Sequence, residues 1–269
     1  MKRRQFLSSA FALSSATLAA AQPAVAALGK ANQDAQRQFY EVRKYQLRSG
    51  TGSKVVEEYI AQALIPALNR IDISPVGAFN LDLGSESPAL YLLLPSKDPG
   101  ALINCGARLL NDKDYLERAD AFWNAPESSP TFVRIESSLM QAFEGWPELS
   151  LPPKEPSPGK RVFQLRTYES SSMRDHYRKI EMFHSGEFEI FRRTGFAEMF
   201  FADVLIGPRL PKLTYMVSVE SLGKVDSSWE AFFNDPQWKK LASDPRFNFE
   251  HIVNNVSNLV LLRTPFSQI

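Results

Sequence analysis

The 269-residue chain has one cysteine, Cys105, so it forms no intrachain disulfide and carries no Cys-based zinc ribbon or iron–sulfur cluster. It has three histidines, His176, His184 and His251. It lacks a Gly-x-Gly-x-x-Gly fingerprint, a phosphate-binding Gly-Lys-Ser loop, a Gly-x-Ser-x-Gly elbow and a His-Glu-x-x-His pair, which leaves the common nucleotide, hydrolase and zinc-protease signatures unfilled. It lacks a charge imbalance: 31 basic groups face 30 acidic ones. No strongly basic face argues for a nucleic-acid partner. No cofactor is specified, and no metal site is assigned.

What is present begins with an address. Lys2-Arg3-Arg4-Gln5-Phe6-Leu7 reads as a twin-arginine motif, followed by an Ala/Leu/Ser-rich run and a small-x-small site at Ala24-Val25-Ala26. Residues 1–26 are therefore expected to be a cleaved signal peptide, which predicts a periplasmic or secreted protein. Ser8, Ser9, Ser14 and Ser15 break the apolar run, so no stable membrane anchor is expected after cleavage. Loss of Lys2, Arg3 and Arg4 leaves 28 basic groups against 30 acidic ones.

The remainder reads as two similar halves. Phe39–Tyr45, Val76–Asp82 and Ala89–Leu94 alternate as strands, and Phe132–Phe143 supplies the last strand region. Helices are expected over Lys54–Ile71, with Pro66 kinking it, and over Pro99–Leu110 and Asp114–Trp123. Gly145 to Gly159 contains Pro147, Pro152, Pro153, Pro156 and Pro158, so residues 145–160 are expected to form a semi-rigid linker. Strands return at Val162–Tyr168, Ala197–Asp203, Lys212–Val219 and near Leu259, with a helix over Glu181–Arg193.

Arg43-Lys-Tyr45 matches Arg166-Thr-Tyr168 at an offset of 123, Tyr91 matches Tyr215 at 124, and Asn111–Tyr115 matches Asn234–Trp238 at 123. A constant offset over three elements indicates a repeat. Each unit, 38–144 and 161–269, is then βαββαβ, a ferredoxin-like α+β sandwich.

Val162–Tyr168, Phe191-Arg-Arg-Thr-Gly195, Leu205-Ile-Gly-Pro208, Leu213-Thr-Tyr215 and Trp229-Glu-Ala-Phe-Phe-Asn-Asp-Pro-Gln-Trp238 together resemble a NIPSNAP domain. The Trp-x-x-Phe…Asp-Pro-x-Trp stretch is the most specific part. The resemblance extends over about 162–266 and is weaker over 39–143, where Asp112-Lys-Asp-Tyr115 stands for Asp-Pro-x-Trp. It implies the dimeric α/β-barrel arrangement, in which two ferredoxin-like sheets meet face to face, between chains or between tandem domains. The family's activity is not established. Elsewhere in the superfamily are small monooxygenases, haem-degrading enzymes and haem peroxidases.

Glu181, His184 and Glu187 follow one another at i, i+3 and i+6, which sets neighbours about a turn apart. A carboxylate beside an imidazole suits general-base chemistry. The same residues also suit a solvated face paired to Lys179, Arg192 and Arg193. Aligning Val76 with Phe196 sets Ala61, Leu64 and Ala67 opposite the triplet, which makes it peculiar to the second half. Gly186 marks a kink or a close approach.

Tyr168 and Tyr215 are candidates to face an inter-sheet cavity, with Met182, Phe200 and their aromatic neighbours as its lining or as ordinary core. His176 is expected on the surface. His251 has no context that demands a metal or haem. Trp229 and Trp238 are expected to anchor packing.

Three readings follow. One is a binding module for a small apolar or aromatic ligand between the sheets. Another is a cofactor-independent or metal-assisted monooxygenase- or isomerase-like enzyme using His184 with Glu181 or Glu187. The third is a structural protein that associates through its sheets. The first two leave either a monomer with intrachain domain pairing or a homo-oligomer.

Overall fold

A computed structural model describes residues 37–48, 52–83, 86–153 and 160–269; the expected signal peptide and residues 154–159 of the expected linker lie outside them. In order come β1 (Phe39–Leu47), α1 (Gly52–Glu58), a π-helical turn (Tyr59–Leu64), α2 (Ile65–Arg70), β2 (Gly77–Leu83) and β3 (Ala89–Ser96). Then come α3 (Pro99–Ile103), α4 (Cys105–Leu109), α5 (Lys113–Trp123) and β4 (Phe132–Ala142). The second half runs β5 (Val162–Glu169), α6 (Met173–Met182), a π-helical turn (Phe183–Glu187), α7 (Phe188–Arg193), β6 (Ala197–Ile206) and β7 (Lys212–Val219). It ends with α8 (Val225–Asn234), α9 (Pro236–Ala242), α10 (Phe249–Ile252) and β8 (Asn255–Arg263).

All strand pairs are antiparallel, and the sheet closes in the order β1-β3-β2-β8-β5-β7-β6-β4. Each half contributes the ferredoxin-like order 4-1-3-2. The seams are β2 with β8 and β4 with β6. The fold is therefore a tandem ferredoxin-like α+β chain that completes a dimeric α/β-barrel arrangement by itself. Closure leaves no sheet edge to pair with another chain.

Side chains alternate between two environments. Tyr40, Phe79, Phe163, Phe200, Met199 and Met216 point into the barrel, while Tyr45, Leu90 and Leu92 face α1, α2 and α5, and Tyr168, Tyr215 and Val217 face α6, α7 and α8. Three separate apolar clusters result, one inside the barrel and one under each set of helices.

The strand registers measure the repeat directly. Tyr45 pairs with Leu90 and Tyr168 with Leu213, both at an offset of 123. α2 and α7 are also 123 apart. Tyr91 therefore corresponds to Thr214, and Leu92 to Tyr215, which corrects the offset of 124. A one-residue slip on a strand exchanges its faces: Tyr91 points into the barrel and Tyr215 away from it. The same register sets Glu58, Ala61 and Leu64 opposite Glu181, His184 and Glu187. Glu181 thus has an acidic counterpart, and the triplet is not wholly peculiar to the second half.

The repeated Asn-Asp stretch has a physical role. Asp112 caps α5 by accepting from the Tyr115 N–H at 3.0 Å, and Asp235 caps α9 by accepting from Gln237 and Trp238. Arg70 donates to Asp112 at 2.8 Å, and Arg193 to Asp235 at 2.6 Å, so the same clasp ties the first helix to the second in both halves.

The first residues after β4 cross one end of the barrel. Gln38 donates its N–H to the Pro147 carbonyl at 2.8 Å, and Ser150 donates to that of Met199 at 2.8 Å. Leu149 and the terminal Ile269 pack against the barrel core there. This end is filled; the other is open.

Candidate functional site

At the open end the barrel interior holds a cavity of about 520 Å³. Val42, Leu81, Met140, Leu165 and Leu259 form its apolar part, and Lys44, Tyr91, Glu136, Thr214, Arg209 and Lys212 its polar part. These side chains point inward because they share strand parity with the barrel core: Lys44 with Tyr40, Lys212 with Met216, Tyr91 with Leu93.

The two inward lysines are held differently. Lys44 Nζ lies 2.9 Å from both Glu86 and Glu136. Burial works against its charge, but hydrogen bonds to Glu136 and Glu86 prevail and push its pKa up. Lys212 is 6% exposed; its Nζ reaches the cavity and makes no hydrogen bond or ion pair with any described residue. Glu169, its cross-strand neighbour, is taken up by Arg209 at 3.4 Å and by Asn255 at 2.9 Å. Burial, reinforced by the Arg209 guanidinium, pushes the Lys212 pKa down against the opposing charges of Glu169 and Glu136. The Tyr91 hydroxyl also has no hydrogen-bond partner among the described residues, and burial pushes its pKa up, so it stays a neutral donor.

The repeat explains the asymmetry. At the offset of 123, Lys44 corresponds to Thr167, Ala89 to Lys212 and Glu86 to Arg209. The first half compensates its lysine with two carboxylates. The second half places a lysine and an arginine side by side.

Of the residues singled out in the sequence, Phe200 points into the barrel, against Tyr40 with ring centroids 4.9 Å apart, but in the filled end. Tyr168, Met182 and Tyr215 do not face the inter-sheet space. Strand parity turns the two tyrosines toward the helices, where Met182 also lies.

There they meet Glu187 in a buried polar cluster. Lys179 Nζ donates to Glu187 Oε2 at 2.7 Å and approaches Met182 Sδ at 3.4 Å. It also lies 5.3 Å from the Tyr168 ring centroid. The Tyr168 and Tyr215 hydroxyls are 2.7 Å apart, and Arg166 Nε donates to Tyr215 at 2.8 Å. Burial, reinforced by Tyr168, pushes the Tyr215 phenol well up. Trp229 stacks on Arg166 at 4.3 Å and donates to Gln164, and Trp238 packs on Phe232. In the first half Val56 and Leu64 stand where Lys179 and Glu187 stand here.

The Glu181, His184 and Glu187 triplet is split. Positions six apart on an α-helix differ by about 240° around the axis. Gly186, at φ +133°, turns the chain further. Glu181 is exposed and pairs with Arg246 at 2.9 Å, whereas Glu187 is buried against Lys179. His184 is exposed, and both ring nitrogens are engaged by backbone: Nε2 accepts from the Gly145 N–H at 3.0 Å, and Nδ1 donates to the Ile180 carbonyl at 2.9 Å. In that pattern Nδ1 is the donor nitrogen and Nε2 the acceptor. Gly145 fits because a Cβ there would come within 2.9 Å of the imidazole.

His176 is buried rather than on the surface, with Nε2 2.8 Å from Asp203 Oδ1. Asp203 shares the helix-facing parity of Phe201, so the charged residues beside His176 in sequence do not decide its exposure. Among the described residues no three His, Cys, Asp or Glu side chains are grouped to hold a metal ion.

Residues 163–268 match the NIPSNAP family model. No curated protein matches the chain. Among solved structures, a Lactobacillus acidophilus protein proposed to be a monooxygenase aligns with a TM-score of 0.55 at 10% identity, over 84% of this chain and 94% of its own. One from Fusobacterium nucleatum, also proposed to be a monooxygenase, aligns with a TM-score of 0.55 at 7% identity, over 84% and 92%. These likenesses are of fold. The NIPSNAP match falls on the half that supplies Lys212, Arg209 and the buried Lys179–Glu187 cluster.

Lys212, Tyr91 and Arg209 were not singled out in the sequence. The available signal was a lysine in phase with Thr214, Met216 and Ser218, on a strand buried along its whole length.

Proposed function

We propose that this NIPSNAP-domain protein binds a small apolar or aromatic molecule in the open end of its barrel, with an acceptor group of that molecule against Lys212. The observation that carries the reading is Lys212, whose largely buried side chain presents an Nζ without a protein acceptor to a cavity of about 520 Å³. No protein group competes for that donor, so a ligand oxygen can take its hydrogen bond inside a site lined in part by apolar side chains. The apolar floor suits a ring or short chain.

The test is calorimetric titration of residues 27–269 with benzoate and naphthoate, and with the same ring systems lacking an acceptor. Binding of the acids, weakened roughly tenfold or more by Lys212→Met, supports the site. Equal affinity in wild type and variant would refute it.

The alternative of an enzyme built on His184 gains no support from this geometry, since both nitrogens are held by backbone and neither glutamate orients the ring. The fold shared with proteins proposed to be monooxygenases does not by itself carry a reaction.

Because one chain closes the barrel, the protein is proposed to be monomeric, which light scattering checks. Export through the twin-arginine motif is likewise proposed. Replacing Arg3 and Arg4 by lysine should retain the protein in the cytoplasm, and unaltered export would contradict it.

A further inference from the structure

Resting on that reading of the cavity, we propose that Lys212 is an amine nucleophile and that the ligands of the barrel mouth include aldehydes or ketones, which it captures as an imine.

The cavity contains its own comparison. Lys44 and Lys212 both enter it from inward-facing strand positions. Lys44 is fixed as an ammonium by two glutamates at 2.9 Å each. Lys212 has no carboxylate or carbonyl within hydrogen-bonding distance of its Nζ, carries its chain through largely buried surroundings to the cavity, and shares the mouth with the Arg209 guanidinium. Glu169, the nearest acid across the strand, is taken up by Arg209 and Asn255. Partial desolvation and a second cation nearby raise the share of neutral amine, the form that attacks carbonyl carbon, relative to Lys44.

The step balances without an oxidant or reductant. The Lys212 nitrogen lone pair forms a C–N bond to the carbonyl carbon. The carbonyl π electrons move to oxygen, which takes up a proton. The C–O bond then breaks, and the oxygen leaves as water with the two protons originally on nitrogen. The open mouth lets that water exchange with solvent. An apolar wall of Val42, Leu81, Met140 and Leu165 holds the body of the aldehyde while its carbonyl faces the amine.

The test treats the intact mature chain with benzaldehyde and sodium cyanoborohydride near neutral pH, then maps the modified lysines by peptide mass spectrometry. All lysines react in one tube, so no variant needs to fold. Lys212 is expected to be trapped about tenfold faster than Lys44 or than Lys97, which is 67% exposed. Excess benzoate should slow Lys212 alone. Lys212 trapped no faster than Lys97 overturns the proposal. Benzoate binding measured on the same sample separates the two claims. If benzoate binds at the Lys212 site while Lys212 is not preferentially trapped, imine capture falls and the ligand site stands. If neither occurs, both fall.

Discussion

Lys179 and Glu187 form a buried ion pair where the first half of the same barrel places Val56 and Leu64. Both side chains are essentially fully buried, at 0% and 2% exposure, and 2.7 Å apart. Removing one member leaves the other charge buried without its ion-pair partner, at a cost of about 3–5 kcal/mol. Lys179→Met alone, or Glu187→Leu alone, is expected to fall in that range. The double variant Lys179→Met/Glu187→Leu keeps the volume and copies the apolar character of Val56 and Leu64. It is expected to lie between neutral and about 4 kcal/mol more stable than wild type. The coupling between the sites would then be about 6 kcal/mol or more. Urea unfolding followed by tryptophan fluorescence measures all four species.

The pH dependence of the single variant sharpens the test. Burial raises the Glu187 pKa, and Lys179 opposes that rise. Without Lys179 the folded-state value climbs further above 4.5, the ordinary value. Stability of Lys179→Met should therefore be best preserved below 4.5 and decline as pH rises through the raised folded-state value. A double variant as unstable as the sum of the singles, or a single-variant penalty independent of pH, would refute the reasoning.

Other perturbations have definite outcomes. Gly186→Ala forces a Cβ onto φ +133° with no clash nearby, so thermal unfolding should show a loss of about 1–3 kcal/mol from backbone strain alone. Asp235→Ala removes the cap of α9 and should cost about 1 kcal/mol, the ion pair to half-exposed Arg193 adding little. In wild type, Arg193 holds the Asp235 pKa down to about 2, so this contribution is complete above 3.8 and disappears as acid titration passes about 2. His184→Ala should lower stability by about 1 kcal/mol through the lost Gly145 contact, with benzoate affinity unchanged in the calorimeter. Lys212→Met should leave the melting temperature close to that of wild type, since its apolar side chain keeps the same inward position, while weakening acceptor ligands roughly tenfold or more in the calorimeter.

The two ferredoxin-like units were legible in the sequence because the halves repeat physical devices as well as letters, whereas the barrel arrangement was implied by the resemblance to NIPSNAP domains. Arg43 and Tyr45, Arg166 and Tyr168, and the capping aspartates 112 and 235 occupy equivalent places for equivalent reasons. The faces of the strands were less legible. An offset of 124 instead of 123 leaves a strand on its proper neighbour but turns its side chains over, and Tyr168, matched at the correct offset, was assigned inward as Tyr215 was. Strand alternation alone does not say which face meets the other sheet and which meets the helices, because both are buried here. Helix spacing suggested that Glu181, His184 and Glu187 converge. The positive φ at Gly186 and the π-helical turn separated them. The Lys212 site depends on closure of eight strands, with the lining drawn from residues 42 to 259, so no local motif announces it.

The most direct test is a crystal structure of the mature protein purified without denaturation from its own host and soaked with benzoate. The account predicts density at the open end of the barrel, with a ligand oxygen at hydrogen-bonding distance from Lys212 Nζ and a ring against Leu165 and Met140. A vacant barrel mouth, with the ligand instead bound beneath α6 and α7 among Lys179, Tyr168 and Tyr215, would contradict it.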